Sequence, residues 1–373
     1  MKTKVIEYIG RIQDGGAETI VKDYSLNLVR DGFDVYVVCR DYVKDSYIYK
    51  TLKENNINIV SMYPEFNIPS RILARIFGVK YVSNKLRKII NDIKPDVLHA
   101  HLECLETLYY AKDCLDGIKL FFTCHNLPKM CIGSDRPKEM NACKYFVENN
   151  NMQIIALHDD MAKEINDMFN INNTVVIKNG IDFNKFRNVT KSKKEIRSSL
   201  NIPNDAYVIG QVGRFAYQKN PEFTVNVFSE LLKKNSNSYL LLIGRGQEEN
   251  NLKKQIKQLE IEGKVQILTN RTDIPELLKA IDVFMLPSRF EGLGIVLIEA
   301  QVSGLPCVVS DNIPNEAFQS KNITRLNLND SYDIWVDSLL KPKGNINMFG
   351  DINEYDMNVQ IKKLETYYRQ REQ

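Results

Sequence analysis

SRFEGLGIVLIEAQVSGLPCVVSD, residues 288–311, contains a glycine-broken loop, an apolar helix and a buried strand. Gly292 and Gly294 allow a ligand to approach the backbone closely, because glycine has no Cβ. The helix that follows them begins with free N–H groups and a partial positive charge. The stretch therefore predicts an anion site at the start of this helix, and the rest of the chain is organised around it.

Two carboxylates accompany the predicted anion site. Glu291 falls in the loop, and Glu299 falls about two turns into the helix. Carboxylates repel an anion, so we expect them to bind hydroxyl groups instead. A ligand that combines a diphosphate with many hydroxyl groups is a nucleotide sugar, which is the ligand that this stretch predicts.

Both halves of the chain alternate apolar strands with helices. In the second half the predicted strands are Tyr207–Val212, Tyr239–Ile243, Val265–Leu268, Val283–Pro287 and Cys307–Ser310. In the first half they are Lys4–Ile9, Asp34–Cys39, Ile57–Met62, Asp96–Ala100, Lys119–Cys124, Gln153–Leu157 and Thr174–Lys178. Continuous apolar strands that alternate with helices are typical of parallel, doubly wound sheets, which bind ligands at the carboxyl ends of their strands.

The length of 373 residues is too great for one ordinary core and predicts two domains. The polar stretch Lys185–Asn204 is interpreted as a linker, which gives an amino-terminal domain over residues 1–186 and a carboxy-terminal domain over residues 187–353. Residues 354–373 have helical spacing and are predicted to cross back to the first domain. The predicted fold class is α/β, with two Rossmann-like domains that face each other across a cleft.

The composition excludes several classes of function. A formal net charge of +3 argues against bulk nucleic-acid binding. The start of the chain resembles no signal peptide, and no stretch approaches the roughly 18 apolar residues of a membrane span. Seven cysteines without a C-x-x-C pair indicate reduced thiols and a cytoplasmic protein. The turn GRIQDGG lacks the G-x-G-x-x-G pattern, so a nicotinamide enzyme is disfavoured.

A set of motifs in a fixed order supports a more specific interpretation. The motifs are GGAE at 15–18, KNGID at 178–182, GRF at 213–215, QKN at 218–220, GRG at 244–246 and a Glu-x7-Glu pair at 291 and 299. This set resembles the retaining glycosyltransferases of family 4, which have the GT-B fold. The chain is most similar to the bacterial members that build capsular polysaccharide and exopolysaccharide.

The resemblance assigns the donor to the second domain and implies that it is a nucleotide sugar of the UDP-sugar kind. It implies that Arg214 and Lys219 bind the diphosphate and stabilise the leaving nucleotide, with solvated loop cations as the alternative. It also implies that Glu299 binds the ribose and that Glu291 faces the sugar. The implied backbone contacts to the donor come from Gly292, Leu293, Gly294, Ile295, Gly244 and the segment that ends at Arg271.

The first domain is expected to supply the acceptor side. By resemblance, Gly15 and Gly16 lie over the diphosphate and acceptor, while Glu18 either belongs to that site or serves only the helix dipole. His125 would lie beside the donor sugar as a catalytic residue, followed by Asn126.

The neighbouring strand ends in two further histidines. His101 is the preferred acceptor-site candidate, and His99 is interpreted as a packed strand residue. No acid or cysteine completes a metal-ligand set with them, so neither a metal nor another cofactor is expected.

Residues 67–94 are predicted to form a basic, amphipathic helix. Such a helix is either a membrane-surface element or an ordinary domain helix with a solvated basic face. The first alternative fits an enzyme at the inner face of the cell membrane whose saccharide acceptor is attached to a polyprenyl diphosphate.

Departures from the family pattern leave donor selectivity open. Lys178 stands where relatives have proline, His158 stands where they have serine, and Gln247 follows the GRG motif in place of proline. Two other functions remain alternatives. A nucleotide-sugar epimerase of the same fold would need no acceptor, and a two-lobed sugar-binding protein would have no activity and would be exported.

Overall fold

The computed structural model describes residues 2–63, 68–342 and 352–370. The chain divides into two compact units. Unit 1 consists of Met1–Gly180 together with Met357–Gln373, and unit 2 consists of Ile181–Asp356. The chain therefore passes between the units after Gly180 and after Asp356, whereas the sequence placed these points at residues 186 and 353.

Unit 1 is built on a parallel sheet of seven strands in the order β3-β2-β1-β4-β5-β6-β7. The strands are β1 (Lys4–Ile12), β2 (Asp34–Tyr42), β3 (Asn58–Ser61), β4 (Val97–His101), β5 (Lys119–Thr123), β6 (Gln153–Ala156) and β7 (Val175–Val176). Its helices are α1 (Gly16–Arg30), α2 (Tyr47–Glu54), α3 (Ile68–Ile93), α4 (Leu105–Tyr109), α5 (Pro128–Cys131), α6 (Pro137–Asn150), α7 (Asp159–Phe169) and α15 (Met357–Arg369).

Unit 2 has a parallel sheet of six strands in the order β10-β9-β8-β11-β12-β13. The strands are β8 (Tyr207–Val212), β9 (Ser238–Ile243), β10 (Val265–Leu268), β11 (Val283–Leu286), β12 (Cys307–Ser310) and β13 (Ile323–Leu326). Its helices are α8 (Phe183–Arg187), α9 (Lys193–Ser199), α10 (Pro221–Lys234), α11 (Glu249–Gln258), α12 (Ile274–Ala280), α13 (Ile295–Val302) and α14 (Tyr332–Leu340). The edge strand β13 was not predicted from the sequence.

The interpretation of Lys185–Asn204 as a linker is wrong. This stretch contains the end of α8 and all of α9, whose first turn is fixed by a capping box between Ser192 and Glu195. The Arg197 side chain is buried, donates to three backbone carbonyl oxygens and pairs with Asp282 at 2.6 Å. The stretch is therefore an integral part of unit 2.

In each sheet the strand order reverses at one point. The reversal falls between β1 and β4 in unit 1 and between β8 and β11 in unit 2. At such a point the loops at the carboxyl ends of two adjacent strands diverge and leave a crevice, which is where open parallel sheets bind ligands. The loops after β8 and β11 carry Lys219 and Glu291. In unit 1, hydrogen bonds connect residues of β1 and β4 to His125, which follows β5.

Helix α15 completes the core of unit 1. Ile361, Leu364 and Tyr368 are buried in one cluster with residues of β1 and α1. The backbone N–H of Lys178 donates to Oε1 of Gln360, which is also buried, at 2.9 Å. Proline has no N–H, so Lys178 allows a bond to α15 that the residue usual in relatives would not make.

The departure at His158 has a structural role as well. Its Nδ1 accepts a hydrogen bond from the backbone N–H of Met161 at 3.2 Å, which caps the amino end of α7. A serine in this position commonly makes the same kind of capping bond.

None of the helices formed by the described residues is both long and apolar enough to span a lipid bilayer. All seven cysteines are free thiols.

Candidate functional site

A buried ion pair joins the two loops at the strand-order reversal of unit 2. Lys219 follows β8, Glu291 follows β11, and Nζ of the lysine lies 2.5 Å from Oε1 of the glutamate. Their side chains are only 14% and 5% exposed. A pair so shielded from water fixes both loops against each other, because separating the charges would leave each of them unpaired in a poorly solvated place.

Neighbouring polar groups hold this pair in place. Ser288 Oγ donates to Glu291 Oε1 at 2.6 Å, and Ser310 Oγ of β12 donates to the carbonyl oxygen of Ser288 at 2.6 Å. On the other side, Gln211 Nε2 donates to the carbonyl oxygen of Lys219 at 2.7 Å. Side chains of β8 and β12 therefore help to hold the two loops that carry the lysine and the glutamate.

Arg214 has a different environment from Lys219. Its side chain is exposed, and it donates to Oε1 of Gln218 at 3.2 Å. The guanidinium is thus held near the ion pair by one neutral partner and keeps most of its donors for other groups. The pattern in the sequence placed both cations in one loop, and the structure adds that one of them already pairs with a carboxylate.

Glycines bring the backbones of the loops after β8 and β9 close together. Gly244 has φ of +151°, and a Cβ on this residue would lie 1.9 Å from the carbonyl oxygen of Gly213. A Cβ on Gly246 would lie 2.3 Å from the carbonyl oxygen of Phe215. Any side chain at either position would displace the loop that carries Arg214 and Lys219.

The glycine-broken loop of the opening stretch leads directly into α13. Gly294 has φ of +80° and is the residue that caps the amino end of the helix, while Leu293 is buried in front of it. Because α13 begins at Ile295, Glu299 lies in its second turn. Glu299 is half-buried, as its apolar neighbours in the sequence indicated.

Asp273 precedes α12, but its side chain makes no capping hydrogen bond to this helix. The carboxylate instead accepts two hydrogen bonds from Arg271, one of them from Nε at 2.7 Å. This contact lowers the pKa of Asp273 and raises that of Arg271. The charge of Arg271 is therefore already balanced within its own loop.

In unit 1, a buried chain of hydrogen bonds connects β1 and β4 to His125. Nε2 of His101 lies 2.7 Å from Oε2 of Glu7, and Nδ1 of His101 lies 2.9 Å from Nε2 of His125. Glu7 and His101 are fully buried, and His125 is half-buried. No part of His101 is exposed, so the imidazole of this pair that a ligand can reach is that of His125.

The chain of bonds extends to the carboxy-terminal helix. The hydroxyl of Tyr368 donates to Oε1 of Glu7 at 3.1 Å and lies 2.6 Å from Nδ1 of His99. Nε2 of His99 in turn lies 2.7 Å from Oγ1 of Thr123. Glu7, Thr123 and Tyr368 are the members that were not identified from the sequence. The sequence did contain a signal for Glu7, which is a glutamate inside the apolar run KVIEYI.

Burial holds the ionisable members of this chain in their neutral forms. It raises the pKa of Glu7 to about 8 and lowers the pKa of His101 to about 3. Burial likewise lowers the pKa of His99 and His125 well below the ordinary value for histidine. At neutral pH the chain of hydrogen bonds therefore consists mainly of uncharged groups.

An acid does complete a set with the two histidines, contrary to the sequence-based statement. Ligand atoms of Glu7, His99 and His101 lie within 4.8 Å of one another. However, Glu7 Oε2 and His101 Nε2 are only 2.7 Å apart, while two ligands of one tetrahedral zinc ion would be about 3.3 Å apart. The observed spacing is that of a hydrogen bond.

The other candidates of unit 1 have local partners. The carboxylate of Glu18 lies over Gly15 at the start of α1, and a Cβ added to Gly15 would be 2.4 Å from Glu18 Oε2. Space around Gly16 is open. Oδ1 of Asn126 accepts from the backbone N–H of Leu127 at 2.9 Å. Glu18 thus occupies the position expected of a first-turn acid that stabilises the helix dipole.

The predicted basic helix is broken at Gly78, which has φ of +64° within α3. Side chains of residues 67–77, including those of Arg71 and Arg75, lie outside the described residues. Of the later cations, Arg87 binds Asp113 at 2.7 Å and Lys85 donates to the carbonyl oxygen of Met62 at 3.0 Å. These two cations are therefore engaged within unit 1, whereas the side chain of Lys88 is exposed.

A cavity of about 890 Å³ opens at the carboxyl ends of β1 to β4. The side chains around it carry both signs of charge and two aromatic rings. Those lining it include Tyr8, Arg40, Tyr63, Glu103, Arg136 and Glu139.

This chain is similar to known glycosyltransferases. The family model Glycosyltransferase Family 4 matches residues 14–185, and the model Glycosyl transferases group 1 matches residues 192–324. The chain is 32% identical to the putative glycosyltransferase EpsF of Bacillus subtilis over 167 residues, which are 44% of either chain. It is 26% identical to the UDP-Gal:alpha-D-GlcNAc-diphosphoundecaprenol alpha-1,3-galactosyltransferase of Escherichia coli, over 84% of this chain and 81% of that one.

Solved structures show the same architecture. Anabaena HepE in complex with UDP and glucose superimposes with a TM-score of 0.75 at 18% identity, over 99% of this chain and 100% of that one. The lipopolysaccharide glycosyltransferase WaaG gives a TM-score of 0.70 at 13% identity, over 99% and 96%. These likenesses confirm the predicted GT-B fold with its two Rossmann-like domains. The chain is a glycosyltransferase of the family 4 and group 1 type.

Proposed function

We propose that the protein is a retaining glycosyltransferase that moves a sugar from a UDP-sugar to a saccharide acceptor on a lipid carrier during surface polysaccharide synthesis. The observation that carries this proposal is the buried pair of Lys219 and Glu291 at the strand-order reversal of unit 2, with the exposed Arg214 beside it. Lys219 and Arg214 supply positive charge where a diphosphate would bind, and Glu291 supplies an acceptor for sugar hydroxyl groups.

The proposed reaction needs no covalent intermediate. The bond from the anomeric carbon to the diphosphate oxygen breaks as the acceptor hydroxyl forms its bond to the same face of that carbon. The hydroxyl proton passes to the departing diphosphate oxygen. Arg214 and Lys219 stabilise the negative charge that develops there, and Glu299 in α13 binds the ribose.

Two of the similar proteins support the choice of UDP and of a lipid-linked acceptor. HepE was crystallised with UDP, and the Escherichia coli relative is named for a UDP-sugar donor and a diphosphoundecaprenol acceptor. In this chain we assign the acceptor saccharide to the cavity of about 890 Å³ in unit 1. Its carboxylates accept from sugar hydroxyl groups, its arginines donate to them, and the ring of Tyr63 offers an apolar face.

Donor binding gives the first test. A UDP-sugar that occupies the site at 100 times its Kd should stabilise the folded protein by about 2.7 kcal/mol, which a thermal-shift screen detects. Arg214→Ala should change the stability of the free protein by only about 0.5 kcal/mol, because the side chain is exposed. The same variant should weaken donor binding about 10- to 100-fold through loss of charged hydrogen bonds, and Arg214→Lys should restore part of it.

A transfer assay with a polyprenyl-diphosphate-linked saccharide separates the alternatives. We expect product only when the acceptor is present, with retention at the anomeric carbon and with the same rate in excess EDTA, since we propose that no metal takes part. Release of free UDP and sugar without acceptor would favour an epimerase instead. Sugar binding without UDP release in any mixture would favour a non-catalytic sugar-binding protein.

We further propose that α3 contacts the inner face of the cell membrane from the cytoplasm. The structure makes Arg87 unsuitable for a test, because its guanidinium binds Asp113 within unit 1. Charge reversal at the exposed Lys80 and Lys88 should weaken binding to anionic liposomes at least tenfold, since each basic residue near such a surface contributes about 1 kcal/mol.

Reversal at Lys129 and Lys163, which are exposed on α5 and α7, is the matched control because it changes the net charge equally. Equal loss in both double variants would mean that net charge and not α3 governs liposome binding.

A further inference from the structure

A continuous chain of hydrogen bonds runs from the carboxy-terminal helix through the buried strands to His125. We infer that Glu7 is a positioning residue of the transfer reaction. Through His101, Glu7 selects the tautomer that His125 presents to the substrate. This inference rests on the proposed function and on the position beside the donor sugar that the family resemblance implies for His125. It concerns a residue in the middle of β1 that does not touch the substrate.

The distances require one shared hydrogen at each step. Glu7 Oε2 and His101 Nε2 are 2.7 Å apart, and His101 Nδ1 and His125 Nε2 are 2.9 Å apart. Only one atom of each pair can carry the hydrogen, because two N–H or O–H groups pointing at each other would repel. Since a neutral imidazole carries a single N–H, the choice at Glu7 determines the choice at His101 and then at His125.

Two states satisfy every bond in the chain. When Glu7 is protonated, it donates to Nε2 of His101, His101 donates from Nδ1 to His125, and His125 carries its hydrogen on Nδ1. When Glu7 is ionised, His101 donates from Nε2 to Glu7 and accepts from Nε2–H of His125, so Nδ1 of His125 has no hydrogen. Ionisation of Glu7 therefore converts Nδ1 of His125 from a donor to an acceptor.

The surroundings of Glu7 favour the protonated state at neutral pH. The groups that face its carboxyl are His99 and His101 of β4, Tyr368 of α15 and Tyr24 of α1. None of these is a cation at neutral pH, and burial raises the pKa of Glu7 to about 8. Tyr368 donates to Oε1, which leaves Oε2 as the oxygen that bears the proton.

Stability alone gives no reason for this arrangement. An apolar side chain on the buried face of β1 would pack without desolvating a carboxyl group, and buried polar groups are costly unless fully bonded. Here every bond of the carboxyl group leads to another member of the chain, and the chain ends at the half-buried His125 just beyond β5. Nδ1 of His125 makes no hydrogen bond to the described residues. It is therefore the ring nitrogen that can form a hydrogen bond to a ligand.

The test observes the tautomers directly. The chain has only four histidines, so ¹⁵N-histidine labelling gives few ring signals, which single His→Gln variants assign. In the wild-type protein we expect His125 to carry its hydrogen on Nδ1 at about pH 6.5 and on Nε2 at about pH 9.5. Glu7→Gln places an amide N–H where the acid proton stood, so His125 should keep the Nδ1–H form across this range.

Glu139→Gln is the control for the resonance measurement. Glu139 is also buried, and its pKa is raised by burial to about 7, but it accepts from the backbone N–H groups of Leu105 and Glu106. This variant should leave the pH-dependent change of His125 intact. If the change of tautomer is absent in wild type or persists in Glu7→Gln, the inference is wrong.

Rates give an independent readout. The wild-type transfer rate should fall about two- to tenfold as pH rises through about 8, because one hydrogen bond to the substrate is lost. Glu7→Gln should keep its neutral-pH rate over the same pH range. A purely structural role for Glu7 would lower the stability of Glu7→Gln and leave the pH profile unchanged. Stoichiometric metal in the purified protein with altered His99 and His101 signals would also overturn the inference.

A protein that shows the tautomer change but no transfer would refute the proposed function, and with it the role of Glu7 in transfer, while the coupling of Glu7 to His125 would stand.

Discussion

Lys219→Met is expected to lower the rate of sugar transfer by about 10²–10³, because the loss of one preorganised donor to a developing negative charge commonly has this effect. Lys219 is held by the carboxylate of Glu291 and by the backbone bond from Gln211, so its ammonium group needs little rearrangement when a diphosphate arrives. Steady-state kinetics with saturating donor would show the loss mainly in kcat.

The same substitution should also destabilise unit 2, which the sequence did not indicate. From the sequence alone, Lys219→Ala is predicted to abolish transfer while leaving folding intact. In the structure the variant would leave the buried carboxylate of Glu291 without its cation, and breaking a buried pair in this way costs about 3–5 kcal/mol. A lower melting temperature should therefore accompany the loss of activity.

A double variant separates the two effects. Glu291→Gln removes the unpaired charge, so Lys219→Met with Glu291→Gln should regain most of the lost stability and none of the lost activity. Lys233→Met, at an exposed lysine paired with Glu230, is the control for removing a lysine and should change neither quantity. Wild-type turnover in Lys219→Met would refute the assignment of this residue to the donor site.

Gly244→Ala should unfold unit 2 or displace its donor loops. The residue has φ of +151°, which only glycine adopts readily, and the new Cβ would lie 1.9 Å from the carbonyl oxygen of Gly213. Because the obstacle is backbone and not a flexible side chain, the loop after β8 must move. We expect a loss of stability above about 4 kcal/mol, together with loss of donor binding.

Gly263→Ala is the matched control. This glycine also lies in unit 2, but nothing stands within 4 Å of an added Cβ and its backbone needs no glycine. Chemical denaturation of the two variants should therefore give clearly different midpoints. Equal stability of Gly244→Ala and wild type would show that the close approach of the two loops is not required for folding.

Much of the fold was predictable because strand and helix patterns are local properties. The alternation of apolar runs and helical stretches predicted both parallel sheets, and glycines at the strand ends predicted where ligand loops lie. The linker assigned to Lys185–Asn204 failed because its polar composition concealed Arg197, whose buried guanidinium finds its partners more than 80 residues away at Ala280 and Asp282. Composition records how many polar residues a stretch has and not which of them are satisfied inside a domain.

The site was predictable to the extent that motifs mark loops. Lys219 and Glu291 were both identified, but the bond between them spans 72 residues and depends on the order of strands in the sheet. The chain at Glu7 was harder, since Tyr368 lies 361 residues away from it. A buried glutamate acquires its meaning only from its neighbours, and those are set by the pairing of β1 with β4 and by the position of α15.

Because α15 supplies part of the core of unit 1, the order of synthesis matters for folding. Unit 2 is one continuous segment, Ile181–Asp356, and can fold once it has left the ribosome. The core of unit 1 also needs Ile361, Leu364 and Tyr368, which are made after the whole of unit 2. At about 5–20 residues per second, its first half spends roughly 10–40 s without that helix. During this interval, the apolar surface of β1 and α1 stays uncovered. In a chain that lacks residues 357–373, the same surface would stay uncovered permanently.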